Sequence, residues 1–138
     1  MALILDTGVL YGLLDQGARE HARCRSAVDA FDEGLIVPAP VIPELDYLMR
    51  QRQAEAAMLT FLRDVRAGAY WVEDPTSHDL TRVIDLLDRY ADLRLGFVDA
   101  SVLAIVERLN EPKPATLDHR HFSVLRPRHV EALELVPA

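Results

Sequence analysis

Along the chain, brief apolar runs alternate with longer stripes of helical period. Leu3-Ile4-Leu5 is a short apolar run stopped by Asp6, the pattern of a buried first strand. Over 8–15, Val9, Leu10, Leu13 and Leu14 recur at helical spacing on one face. A second helix is predicted over 19–31, closing near Gly34. Leu35-Ile36-Val37 is the next strand-like run, and Pro38 stops it. A helix starting at Pro40 carries Val41, Leu45 and Leu48, with Glu44 on its first turns. Another runs over about 54–65 and ends before Gly68.

Residues 69–72 are β-like and aromatic, and Asp74-Pro75 breaks them. Thr76-x-x-Asp79 resembles a capping box ahead of Leu80, Val83, Ile84 and Leu87, with Asp in the usual place of Glu. Residues 98–109 are strongly helical, with Val102, Ile105, Val106 and Leu109 on one face, and Pro112-x-Pro114 ends them. The run 115–117 ends at Asp118, and weaker strands are expected at 123–125 and 133–136. Parallel strands need long crossovers, and helical crossovers cover both faces of the sheet. The expected fold is therefore α/β: a three-layer α/β/α arrangement with a short central parallel sheet of four to five strands and seven or so helices. No repeat, low-complexity tract or linker interrupts it, so residues 1–138 are expected to form one domain.

Composition adds limits. A chain of 138 residues, 50% hydrophobic, suits one globular domain. Cys24 is alone, which excludes an internal disulfide and a Cys-rich zinc site; with His21 it reads as helix packing. No basic leader and no uncharged apolar stretch of roughly 20 residues is present, so a cytoplasmic protein without a membrane partner is expected. The net charge of −7 by itself argues against nucleic acid, because Lys and Arg supply most of the affinity for phosphate backbones.

The strand pattern changes that inference. Active sites of open parallel sheets lie beyond the carboxyl ends of the strands. Asp6 and Asp118 end two strand-like runs, Glu44 lies on the helix after a third, and Asp99 opens the helix 98–109. Four carboxylates from distant segments thus fall on one predicted edge. Crowded carboxylates repel and raise each other's pKa unless a cation neutralises them. An all-oxygen ligand set selects hard cations, Mg²⁺ or Mn²⁺, which acidify water and stabilise phosphoryl charge. Taken singly, each acid is as well explained by a helix N-terminus, which favours negative charge.

Four segments in order resemble the PIN domains, and specifically the VapC-like ribonuclease toxins of prokaryotic toxin–antitoxin pairs. They are Ile4-Leu5-Asp6-Thr7-Gly8-Val9-Leu10, Val41-Ile42-Pro43-Glu44-Leu45-Asp46-Tyr47-Leu48, Leu95-Gly96-Phe97-Val98-Asp99-Ala100-Ser101 and Ala115-Thr116-Leu117-Asp118-His119-Arg120-His121-Phe122. The resemblance implies that Asp6, Glu44, Asp99 and Asp118 are the catalytic acids of a metal-dependent endoribonuclease. Asp6 and Asp99 would be the most direct Mg²⁺ or Mn²⁺ ligands. Asp118 would serve a second metal or act through water, and Glu44 would help position the attacking water. Thr7 would orient a ligand or the substrate phosphate, or equally cap the helix that follows.

The resemblance also implies a substrate among the RNAs of translation, transfer or ribosomal RNA, and a cognate VapB-like antitoxin. A homodimer, or a dimer of toxin–antitoxin pairs, is implied as well. Tyr47, Leu48, Met49, Met58 and Phe61 suit an antitoxin groove, although core packing suits most of them better. The acid-free stretch 119–130 holds Arg120, Arg126 and Arg128, a basic flank for an RNA backbone. It equally suits a solvated face around a packed Phe122. That reading is favoured for His121 and His129, while Arg120 suits either.

Other readings fit less well. Asp6-Thr7-Gly8 matches the aspartic-protease tripeptide, but those proteases are nearly all-β. A haloacid-dehalogenase-like phosphatase wants a second Asp where Gly8 stands. A phosphorelay receiver wants paired acids and a late catalytic Lys, whereas the only lysine, Lys113, sits between prolines. The rival from another class is a non-catalytic PIN scaffold that binds RNA or protein, which missing acids would favour and four present acids do not.

Overall fold

Four short strands lie side by side in the computed structural model, which describes residues 2–111 and 114–137. They are β1 (Ala2–Leu5), β2 (Gly34–Pro38), β3 (Trp71–Glu73) and β4 (Pro114–Ala115). All are parallel, in the order β3-β2-β1-β4. The register pairs Ile4 with Ile36 on one side and with Pro114 on the other. Leu3, Ile4 and Leu5 are wholly buried, as a central strand covered on both faces must be. The expected three-layer α/β fold is observed.

Seven helices supply the outer layers among the described residues: α1 (Thr7–Leu14), α2 (His21–Asp29), α3 (Val41–Gln51), α4 (Glu55–Arg66), α5 (Ser77–Arg89), α6 (Phe97–Arg108) and α7 (His119–Phe122). α1 packs on α2 and α3, α3 packs on α4, and α5 packs on α6. Gly12 lets α1 approach α2 closely. A Cβ there would lie 2.7 Å from the Cys24 sulfur, and the Gly12 carbonyl meets His21 Nδ1 at 2.8 Å. Both His21 and Cys24 thus serve packing. After α4, Gly68 takes φ +93°, the left-handed stop that glycine adopts without strain. No described helix is long and apolar enough to cross a membrane.

Two expectations are corrected. The segment 123–125 is not a strand: the N–H groups of Ser123 and Val124 donate to His119 and His121, continuing the turn of α7. The segment 133–136 reduces to an isolated parallel bridge between Val136 and Ala115, so the sheet keeps four strands. In α5 the Thr76–Asp79 capping box forms as expected. Asp79, Arg82, Val83 and Leu86 turn inward, leaving Ile84 69% and Leu80 43% exposed. Ion pairs to α6 decide this: Arg82 forks onto Glu107 at 2.8 and 2.9 Å, and Asp79 holds Arg108 at 2.9 Å. Pro112 and Lys113 lie outside the described residues.

Candidate functional site

The strand order places a crevice. The chain passes from β1 to β2 to β3 in one direction, then returns to lay β4 on the opposite side of β1. Adjacent crossovers leave in opposite directions at such a reversal, and the space between them is the natural ligand site of an open α/β sheet. Here a cleft of about 640 Å³ lies at that end of β1 and β4. Asp6, Thr7, Glu44, Phe97, Asp99 and Asp118 line it, with Gly8, Gly96, Val98 and Leu117. The structure therefore brings together the four expected acids, each from its own element.

Asp6 immediately follows β1 and caps α1. One oxygen accepts from the Thr7 N–H at 2.8 Å, and the other from the Thr116 hydroxyl at 2.9 Å. It is only 6% exposed. Thr116, wholly buried just past β4, is a hub. Its hydroxyl donates to Asp6 and accepts the Asp118 N–H at 3.0 Å, coupling the ends of two neighbouring strands. Asp118 caps α7, Asp99 lies in the first turn of α6, and Glu44 lies in the first turn of α3, exposed. The cap of α1 is Asp6, so Thr7 does not cap it. The Thr7 hydroxyl is instead buried and has no hydrogen-bond partner among the described residues.

This clustering carries an electrostatic cost. Burial, then the Asp99 charge, pushes the Asp6 carboxyl up to about 7, against the lowering effect of the Thr7 and Thr116 hydrogen bonds. Burial and then the Asp118 charge push Asp99 up to about 6, with His121 opposing. Two carboxyls thus resist ionisation where folding has gathered them. A divalent cation is the simple remedy.

Two participants escape the sequence reading. Thr116 lies inside the quoted segment, but only the fold shows it bridging Asp6 and Asp118. His121 reads from sequence as part of a solvated face. The structure instead sets its Nδ1 2.8 Å from Asp118 Oδ2 and 3.6 Å from Asp99 Oδ2. Ligand atoms of Asp99, Asp118 and His121 all lie within 4.8 Å of one another. The available signal was spacing: His121 is three residues past the α7 cap, where its N–H donates back to Asp118 at 3.1 Å.

The basic flank is divided by the fold. Arg120 is exposed on α7 and does not line the cleft. Arg128 turns toward Asp85 at 3.4 Å while its N–H donates to Glu107, and His129 Nε2 meets the Glu111 carbonyl. Arg128 therefore belongs to the α5–α6 ion network rather than to one RNA-facing strip with Arg120. Phe122 is buried as expected. Met49, Met58 and Phe61 are core, Leu48 is half-buried, and Tyr47 is 62% exposed.

No protein-family model matches the chain. Among characterised proteins, it is 32% identical over 125 residues to a Mycobacterium tuberculosis protein named ribonuclease VapC26, covering 91% of this chain and 93% of that one. Among solved structures, it resembles M. tuberculosis VapC20, a sarcin-ricin-loop-cleaving toxin. The TM-score is 0.73 at 18% identity, over 81% of this chain and 86% of the other. It also resembles a toxin–antitoxin complex from Klebsiella pneumoniae, with TM-score 0.66 at 19% identity, over 89% and 92% of the two chains.

Proposed function

The chain belongs to the VapC family of ribonucleases, and on that premise we propose that its 138 residues act as one Mg²⁺- or Mn²⁺-dependent endoribonuclease unit, a toxin that hydrolyses phosphodiester bonds of transfer or ribosomal RNA. The observation that supports this best is the convergence of Asp6, Glu44, Asp99 and Asp118 on one cleft at the strand-order reversal. The donor set fits a hard cation, and two carboxyls are held protonation-prone without one. Thr7 lines the same cleft, and its buried hydroxyl has no hydrogen-bond partner among the described residues.

In this reading Asp6, Asp99 and Asp118 hold the metal. When bound, the cation supplies an acidified water and neutralises charge on the phosphoryl oxygens. Glu44, the exposed acid, orients the attacking water and accepts its proton. Thr116 fixes Asp6 and the Asp118 backbone relative to one another, so the carboxylates need not reorganise on binding. Thr7 donates to a ligand or to the scissile phosphate, and Arg120 contacts the flanking backbone.

We assign the neutralising partner as a VapB-like antitoxin. Tyr47 on α3, with Leu59 and Leu62 on α4, offers exposed apolar surface to such a partner. Cytoplasmic action and a homodimer, or a dimer of toxin–antitoxin pairs, complete the reading. The net charge of −7 favours selective over general RNA binding.

The test is incubation of the antitoxin-free protein with total cellular RNA, with Mg²⁺ or Mn²⁺ and separately with EDTA. Discrete fragments are expected only with metal, and mapping their 5′ ends names the target. Intact RNA in every arm would refute the nuclease reading and leave a non-cutting scaffold.

A further inference from the structure

The cleft also holds a nitrogen donor. His121 sits at the third residue of α7, and two contacts fix its ring beside the acids. Its N–H donates to Asp118 Oδ1 at 3.1 Å, and its Nδ1 lies 2.8 Å from Asp118 Oδ2. The same Nδ1 lies 3.6 Å from Asp99 Oδ2. One ligand atom from each of Asp99, Asp118 and His121 falls within 4.8 Å of the others. Bonds of about 2.0–2.2 Å to a common ion need donors at such spacing. Asp6 is not in this group; its two oxygens are engaged by Thr7 and Thr116 on the β1 side of the cleft. A separate observation points to a ligand in the same cleft: Thr7, 5% exposed, is one of its lining residues, and its buried hydroxyl has no hydrogen-bond partner among the described residues.

We infer that Asp99, Asp118 and His121 form a mixed nitrogen–oxygen position, with His121 Nδ1 as a direct ligand, that selects Mn²⁺ over Mg²⁺. This rests on the metal-dependent reading above and adds a ligand to it. With metal bound, the ring carries its proton on Nε2 and presents the Nδ1 lone pair. Mg²⁺ takes oxygen donors and gives up its waters reluctantly, so an imidazole adds little to its affinity. A first-row transition ion gains from the same nitrogen. The alternative role for His121 is that of a positioning residue, donating Nδ1–H to Asp118 whichever ion is bound.

Pulsed electron paramagnetic resonance of the metal-stripped, antitoxin-free protein loaded with Mn²⁺ separates these roles without relying on activity. Nitrogen coupling from an imidazole is expected in the wild type, changed by ¹⁵N-histidine labelling and lost in His121→Gln. Mn²⁺ affinity should fall about tenfold or more in that variant, the loss typical of disturbing a metal ligand's surroundings. Mg²⁺ affinity, read by competition, should stay nearly the same. The wild-type spectrum alone decides the question if the variant fails to fold. Bound Mn²⁺ without nitrogen coupling, or equal losses for both ions, would overturn direct ligation by His121 and leave the metal-dependent reading standing. Absence of any Mn²⁺ or Mg²⁺ binding by the wild type would overturn both.

Discussion

Replacing Asp6 by Asn should stabilise the metal-free protein at alkaline pH while removing its activity. The Asp6 carboxyl is raised from 3.8 to about 7, first by burial and then by the Asp99 charge. A group whose folded pKa is raised contributes stability below its unfolded value and loses that contribution as pH climbs through the folded one. Below about pH 4 Asp6 is protonated in both states and costs nothing. Above about 7 it is ionised in both, and the raised carboxyl, at about 1.36 kcal/mol per pH unit, costs the fold about 4 kcal/mol.

Asparagine removes that cost. Its carbonyl can still accept from the Thr7 N–H, but Thr116 loses an acceptor for its hydroxyl proton, a loss of about 1 kcal/mol. The net expectation is a gain of about 3 kcal/mol at pH 8, roughly 10 °C in Tm for a chain of this size. At pH 4 the sign reverses, with the variant about 1 kcal/mol less stable. Saturating Mn²⁺ should raise the wild-type midpoint more than the variant's, narrowing the gap. Thermal melts in EDTA and in Mn²⁺, at pH 4 and pH 8, make the comparison. A variant that is less stable than wild type at pH 8 in EDTA would refute the electrostatic argument, and full RNA cleavage by it would refute the site assignment.

Other changes test the scaffold and the cleft. Arg82→Met should cost about 3–5 kcal/mol in urea unfolding, because it leaves the Glu107 carboxylate, 9% exposed, without its forked partner. Adding Glu107→Gln should recover most of that, and additive losses would show the pair is not coupled. Gly12→Ala should cost about 1–3 kcal/mol through the 2.7 Å clash with the Cys24 sulfur, relieved by Cys24→Ala in a double-mutant cycle. Phe97, 48% exposed and lining the cleft, is placed to stack a nucleobase. Phe97→Ala should raise KM for RNA with the melting curve unchanged, reflecting the roughly 1–3 kcal/mol of one stacked base; an unaltered KM would remove it from the substrate path.

The sequence by itself determined the fold class and marked four acids that would meet at one edge of the sheet. Leu3-Ile4-Leu5 reads as a strand because a run buried on both faces has no polar alternation, and the helical stripes between such runs require parallel crossovers. Asp6, Glu44, Asp99 and Asp118 are legible because helix starts and strand ends are punctuated locally. Side-chain direction in α5 was not legible. Leu80 and Ile84 are exposed, because Arg82 and Asp79 turn inward to partners on α6, 25 and 29 residues away. The 119–130 stretch is a single basic run in sequence, but Asp85, Glu107 and Glu111 claim its later members through contacts between elements. The strand-order reversal, the Thr116 bridge and the approach of His121 to Asp99 and Asp118 were decided by tertiary structure alone. Periodicity reports which face of an element avoids water. Which charged group meets which depends on how the elements are laid against one another, and that is fixed only when the sheet order closes.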